Sequence, residues 1–132
     1  MMDILQPPGW PRPRGYSNGV AASGRQIFVS GMIGWNADGH FESDDFAMQA
    51  RQALQNIVEV LREAGAEPRH IVRMTWYVVD KREYLAASEA LGAAYREIIG
   101  KHFPAMTAVE VRALIEDRAR VEIEVTAVLP EA

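Results

Sequence analysis

The run Arg120-Val-Glu-Ile-Glu-Val-Thr-Ala-Val128 decides the fold. Val121, Ile123, Val125 and Ala127 fall on one face, and Glu122, Glu124 and Thr126 fall on the other. That period of two is the mark of a strand with one buried face. Ahead of it, Pro104-Ala-Met-Thr-Ala-Val-Glu-Val-Arg112 alternates more loosely and reads as a companion strand. A carboxylate among β-branched residues needs either solvent or a site, because an unpaired buried charge is costly. Glu122 is therefore the first residue to be placed.

Working back from these strands, Ile71–Val79 is dense in β-branched and aromatic residues and reads as a central strand. Asp80 then caps a helix whose inner face carries Tyr84, Leu85, Ser88, Leu91, Tyr95 and Ile98, and Gly100 closes it. Upstream, Ser43, Asp44 and Asp45 suit a helix start. Phe46, Ala50, Ala53, Leu54, Ile57, Leu61 and Ala64 follow at helical spacing as one buried stripe, ended by Gly65 and Pro68. Tyr16–Ala22 and Gln26–Ile33 read as two strands joined in a hairpin at Ser23-Gly-Arg25, and Trp35–Phe41 reads as a loop. Residues 1–15, with Pro7, Pro8, Pro11 and Pro13, read as an extended arm in which Trp10 docks on the body.

The order β-β-α-β-α-β-β predicts an α+β fold, a mixed sheet with two helices on one face. Two helices leave the other face of such a sheet to solvent or to another subunit. The face expected to be left open carries Met106, Ala108, Glu110, Glu122 and Glu124, or their opposite-parity neighbours.

The chain has 132 residues, expected to form a single domain, with 48% apolar and 24% charged residues. A net charge of −4 argues against a nucleic-acid partner. The absence of cysteine removes disulfides, thiolate metal sites and a cysteine nucleophile, and a cytoplasmic location is expected. The N-terminal residues have neither the charged nor the apolar region of a secretory leader, and no apolar run is long enough to span a bilayer. His40, His70 and His102 lack helical partners four residues away, so no metal site is expected. Phosphate-loop, dinucleotide-binding and nucleophile-elbow motifs are absent.

Several segments together carry a resemblance: Gly15-Tyr-Ser-Asn-Gly-Val20, Ile27-Phe-Val-Ser-Gly-Met-Ile33, Gln49-x-x-Gln-Ala-Leu-x-Asn-Ile57, Ala64-Gly-Ala66, His70-Ile-Val-Arg-Met-Thr-x-Tyr-Val-x-Asp80, Tyr84, Phe103-Pro-Ala105, Val109-Glu-Val111 and Val121-Glu-Ile-Glu124. From about residue 15 to residue 128 the chain resembles the RidA (YjgF) family. The resemblance implies a chorismate-mutase-like fold and a homotrimer with small-molecule sites in clefts between subunits. It also implies hydrolysis of reactive enamines or imines to a carbonyl compound and ammonia, with no metal or organic cofactor. Tyr16 matches the family's early pocket tyrosine, Ser30 the serine of its Ser-Gly motif, and Glu122 the late-strand glutamate linked to water and proton handling.

Three positions depart from the pattern. Met106 stands where the known deaminases have the arginine that grips the substrate carboxylate, Ala108 where a cysteine is frequent, and Ser88 where helix 2 has an asparagine. Methionine offers no donor for a carboxylate. Arg112 shares the strand parity of Met106 but lies six residues on, roughly 20 Å at the strand rise. Arg14 and His102 are the other candidates to replace the grip. A carboxylate partly withdrawn from water in a cleft suits Glu122 to general acid–base work, the alternative being that it only hydrogen-bonds backbone across the interface. With Met106, Ala108, Met32 and Trp35 around it, the pocket is expected to be more apolar than the family's and to take a less anionic substrate or one derived from an aromatic ring. The rival expectation is a non-catalytic trimer that binds a small metabolite in the same cleft.

Overall fold

A computed structural model describes residues 2–131 of the chain. Its elements are strand β1 (Met2–Leu5), β2 (Gly19–Ala22), β3 (Arg25–Ile33), helix α1 (Phe46–Glu63), β4 (Ile71–Val78), α2 (Lys81–Ala86), α3 (Ser88–Ile98), β5 (Ala105–Glu110) and β6 (Val121–Leu129). The fold is α+β, as expected, with a mixed four-stranded sheet in the order β3-β6-β4-β5. The last strand, β6, lies between β3 and β4 and is antiparallel to both, while β4 and β5 run parallel. Val121, Ile123, Val125 and Ala127 of β6 are all buried, which is the outcome its alternation predicts. Helix α1 lies across β3 and β6, and α3 packs beside α1. The stripe Ala50, Ala53, Leu54, Ile57 and Leu61 is wholly buried there.

Several expectations needed correction. The N-terminal arm contains a strand: β1 pairs antiparallel with β2, and β3 pairs with β6, so the expected hairpin between the first two predicted strands does not form. Gly24 between them does take the positive φ, at 145°. The predicted second helix is two helices broken at Ala87, where φ is −94° and ψ is 10°. The Ala87 N–H caps α2 by donating to the carbonyls of Glu83 and Tyr84. Tyr84 then turns inward, edge-on to Phe46 and Trp76, while Leu85 is 65% exposed rather than on an inner face. The strand after Pro104 stops at Glu110, so Arg112 lies beyond it.

Polar groups on α1 fix how the strands meet the helix. The Gln49 side chain is 1% exposed and fully used: its amide N–H groups donate to the carbonyls of Ser43 and Arg118, and its oxygen accepts from the Arg120 N–H. Asn56 donates to the carbonyls of Ile33 and Trp35, holding the end of β3. Gly34 passes so close to α1 that a Cβ there would stand 2.6 Å from the Gln49 Cα. Among the described residues, no helix is long and apolar enough to cross a membrane.

The overlap at Gly34 is with backbone, which cannot swing aside. Gly34→Ala is expected to destabilise the fold by about 1–3 kcal/mol, the usual cost of overpacking, read as a lower midpoint in chemical denaturation. A second outcome concerns His70, a buried residue whose Nδ1 accepts from the Glu67 N–H at 2.9 Å. Burial, reinforced by the Arg69 charge and only partly opposed by Glu67, holds its pKa below the ordinary 6.5. The unfolded chain therefore takes up a proton that the fold resists, so stability is full above pH 6.5 and declines as pH falls from there through the native value. His70→Gln is expected to flatten the fall in melting temperature between pH 8 and pH 5, and an unchanged pH profile would rule out His70 as its source.

Candidate active site

Two groups of residues on opposite faces of the sheet carry chemistry. The first lies on the face not covered by helices. There β6 presents Glu122, Glu124 and Thr126, β4 presents Arg73, Thr75 and Tyr77, and β3 presents Phe28 and Ser30. Tyr77 donates its hydroxyl to Glu124 at 2.5 Å. That bond is the main reason its phenol pKa is raised, since losing the proton would place two negative charges together. Glu124 is thus engaged. Glu122 makes no hydrogen bond or ion pair with another side chain among the described residues and is only half-buried.

The seat of Glu122 is made by Gly31. A Cβ built there would overlap the Glu122 carboxylate, whose Cγ would lie 2.8 Å away. Ser30 and Gly31 occupy a bulge, because the register of β3 against β6 shifts between Val29 and Met32. The Ser-Gly pair thus has a physical reason. Glycine admits the carboxylate, and the neighbouring hydroxyl faces a recess of about 380 Å³ shared with Thr75 and Glu124.

The second group surrounds a larger recess of about 520 Å³ on the helix side, between β4, β5, α2, α3 and the N-terminal arm. The arm is tied to β5 through Ser17, whose N–H donates to the Pro104 carbonyl at 3.0 Å and whose hydroxyl donates to the Phe103 carbonyl. Tyr95 stacks on Phe103 with the rings 9° from parallel and donates its hydroxyl to the His102 carbonyl. Trp76 and Tyr84 form the aromatic wall, and Met106 and Leu91 extend it. Trp76 is 4% exposed, and its indole N–H has no protein partner, a condition that costs about 1–3 kcal/mol for a buried donor. Burial also raises the Tyr84 and Tyr95 pKa values, so both phenols stay neutral donors.

Of the residues expected in one pocket, Glu122 and Ser30 lie on the same open face. Met106 pairs with Met74 and Ala108 with Trp76, so both turn toward the helix side, opposite to Glu122. Met32 pairs with Ile123 and packs against the core. Trp35 packs against Phe41, the tilted rings 6.0 Å apart between centroids, just beyond the end of β3 that pairs with Glu122. Tyr16 is exposed beside Ser17, and Arg14 is exposed on the arm. His102 is occupied, with Nε2 2.6 Å from the Ile71 carbonyl oxygen, and is not free to grip a ligand. Sequence reasoning missed Trp76, Tyr77, Arg96 and Lys101. The inward parity of Trp76 with Met74 and Val78 was a usable signal, but nothing local marked the two cations.

The sequence profile of the family described as Endoribonuclease L-PSP matches residues 11–129. The chain is 33% identical to human 2-iminobutanoate/2-iminopropanoate deaminase, over 86% of this chain and 79% of that protein. It is also 33% identical to a RutC family protein of Aquifex aeolicus, over 96% and 99%. The Rid-family protein YyfB of Yersinia pestis superposes with a TM-score of 0.84 at 34% identity, over 97% and 98% of the two chains. The YjgF gene product of E. coli superposes with a TM-score of 0.70 at 34% identity, over 89% and 91%. With its fold, its Gly31-seated Glu122 and these relatives, the chain belongs to the RidA (YjgF) family and carries that family's chorismate-mutase-like fold.

Proposed function

We propose that this chain is an enamine/imine deaminase that hydrolyses a small reactive imine to a carbonyl compound and ammonia. The observation that carries this reading is the Glu122 carboxylate, half-buried on Gly31 and unused by the fold's own side-chain hydrogen bonds. Support comes also from the human relative, named for deamination of 2-iminobutanoate and 2-iminopropanoate. In the reaction Glu122 takes a proton from water as the oxygen attacks the imine carbon. It returns that proton to nitrogen, giving a carbinolamine; the hydroxyl proton of that carbinolamine then passes through Glu122 to the amine, and the carbon–nitrogen bond breaks as the carbonyl forms and ammonia leaves. General acid–base transfer of this kind contributes roughly 10²–10⁴-fold in rate. Ser30 and Tyr16 supply hydroxyls that orient water and substrate.

Met106 and Glu122 face opposite sides of one sheet, so a single copy cannot present both to one substrate. We infer a homotrimer in which the helix-side recess of one copy meets the Glu122 face of the next. The exposed Phe28, at 72%, and Val109, at 41%, give that open face an apolar surface to bury. Met106 replaces a carboxylate-gripping arginine, so the substrate is not held by its acid group at β5, and its body is apolar or aryl. The site works as a single domain in the cytoplasm and takes no nucleic acid.

Glu122→Gln is the test. Across imines generated in situ from amino acids by an amino-acid oxidase, kcat is expected to fall by about 100-fold or more with KM little changed. Undiminished turnover would remove Glu122 from the chemistry, and a wild type inert on the whole panel would favour a metabolite-binding role. Sedimentation should give three copies per particle, and a monomer at working concentration would sink the shared-site arrangement.

A further inference from the structure

The helix-side recess has a polarity that its apolar walls conceal. Its two charged lining residues, Arg96 and Lys101, are both cations, although the chain carries a net charge of −4. The lining contains no carboxylate. Among the described residues neither cation forms an ion pair, while Glu97, the acid next to Arg96 in sequence, is held by Arg51. Arg96 is also aimed. Side chains on a helix lean toward its N-terminus, and the guanidinium of Arg96 lies over Gly92, one turn back, with Nη1 3.3 Å from where a Cβ would stand. A glycine inside a helix is unfavourable. At position 92 it keeps clear the path by which Arg96 reaches the recess.

We propose that Arg96 and Lys101 form an anion-binding end of this recess, so that its ligand is an amphipathic acid: an aryl or branched alkyl body against Trp76, Tyr84, Leu91 and Met106, and a carboxylate on the two cations. The body has about 520 Å³ to fill, within the range of small-molecule pockets. The guanidinium supplies planar paired donors suited to a carboxylate, and the lysine supplies a mobile point charge. The grip missing at Met106 has thus moved from β5 to α3 and to the turn that follows it. This inference rests on the deaminase reading for the identity of the reacting group, an imine, but not for the shape and charge of what binds.

Binding is therefore measured apart from hydrolysis. Calorimetric titration of the full chain with 3-phenylpropanoate and with its neutral amide is expected to favour the acid by roughly tenfold or more, the scale of one charge-assisted bond. In the Arg96→Gln/Lys101→Gln double variant the acid should fall to the affinity of the amide. Arg96→Lys should keep part of the preference. Equal binding of acid and amide by the wild type, no binding of either, or an acid preference that survives the double substitution would each overturn the proposal. The deaminase reading fails separately, if phenylpropanoate binds selectively but no imine is hydrolysed. If small imines are hydrolysed without selective binding of the acid, the deaminase reading stands and the anion site falls.

Discussion

Much of this structure depends on one buried amide. Gln49 sits inside α1 with no access to water, and each of its hydrogen bonds goes to a different piece of backbone. Ser43 lies before the helix, and Arg118 and Arg120 lie on the approach to β6. An apolar residue of the same size would strand two carbonyls and one N–H, and unsatisfied buried groups cost about 1–3 kcal/mol each. The amide therefore fixes where β6 begins, one residue before Glu122. The close pass of Gly34 against Gln49 sets the other boundary, the end of β3, and Asn56 closes it. The motif Gln49-x-x-Gln-Ala-Leu-x-Asn-Ile57 is thus a bracket holding two neighbouring strands to one helix. Glu122 takes its position on the sheet from that bracket.

The sheet then acts as a partition. On β6, alternation sends Val121, Ile123 and Val125 into the core and leaves Glu122 and Glu124 on the open face. On β5, the parallel register with β4 sends Met106 the other way, beside Met74 and toward α3. Two carboxylates of the same strand also part company. Glu124 is occupied by the Tyr77 hydroxyl, while Glu122 is lodged over a glycine and left with its proton-accepting capacity unused. Chemistry that needs both the recess and Glu122 must bring two copies of the chain together, a consequence of strand parity rather than of any particular interface contact.

Strand and helix identities were legible because period two and period 3.6 are local properties of the sequence. The alternation around Glu122 and the stripe from Phe46 to Leu61 needed no tertiary information. What the sequence hid was relational. Met2–Leu5 is a strand only because β2 lies beside it, so a proline-rich arm gave no sign of it. The break at Ala87 has neither proline nor glycine to announce it. Parity shows which residues of one strand share a face, but not which face turns inward. That was settled by register, Met74 against Met106 and Tyr77 against Glu122, and it separated residues that had been grouped in one pocket. Gly31 was visible as part of a Ser-Gly pair, but its reason, the room it leaves for a carboxylate three strands later in the chain, is a contact between distant residues.

Met106 connects stability to specificity. It packs partly against the main core cluster and shares its recess with Trp76, Tyr84 and Leu91. An arginine there would have to hold its charge beside an aromatic wall with no acidic residue in the lining, and burying an unpaired charge is strongly unfavourable. In a chain with this wall, methionine extends the core to the edge of the sheet, its flexible thioether fitting an irregular surface. Any charge the recess keeps must sit at the rim, on a side chain long enough to leave its ammonium or guanidinium in water while its stem lies along apolar surface. Arg96 and Lys101, both exposed, meet that requirement, and methionine at position 106 adds no charge to the aromatic wall.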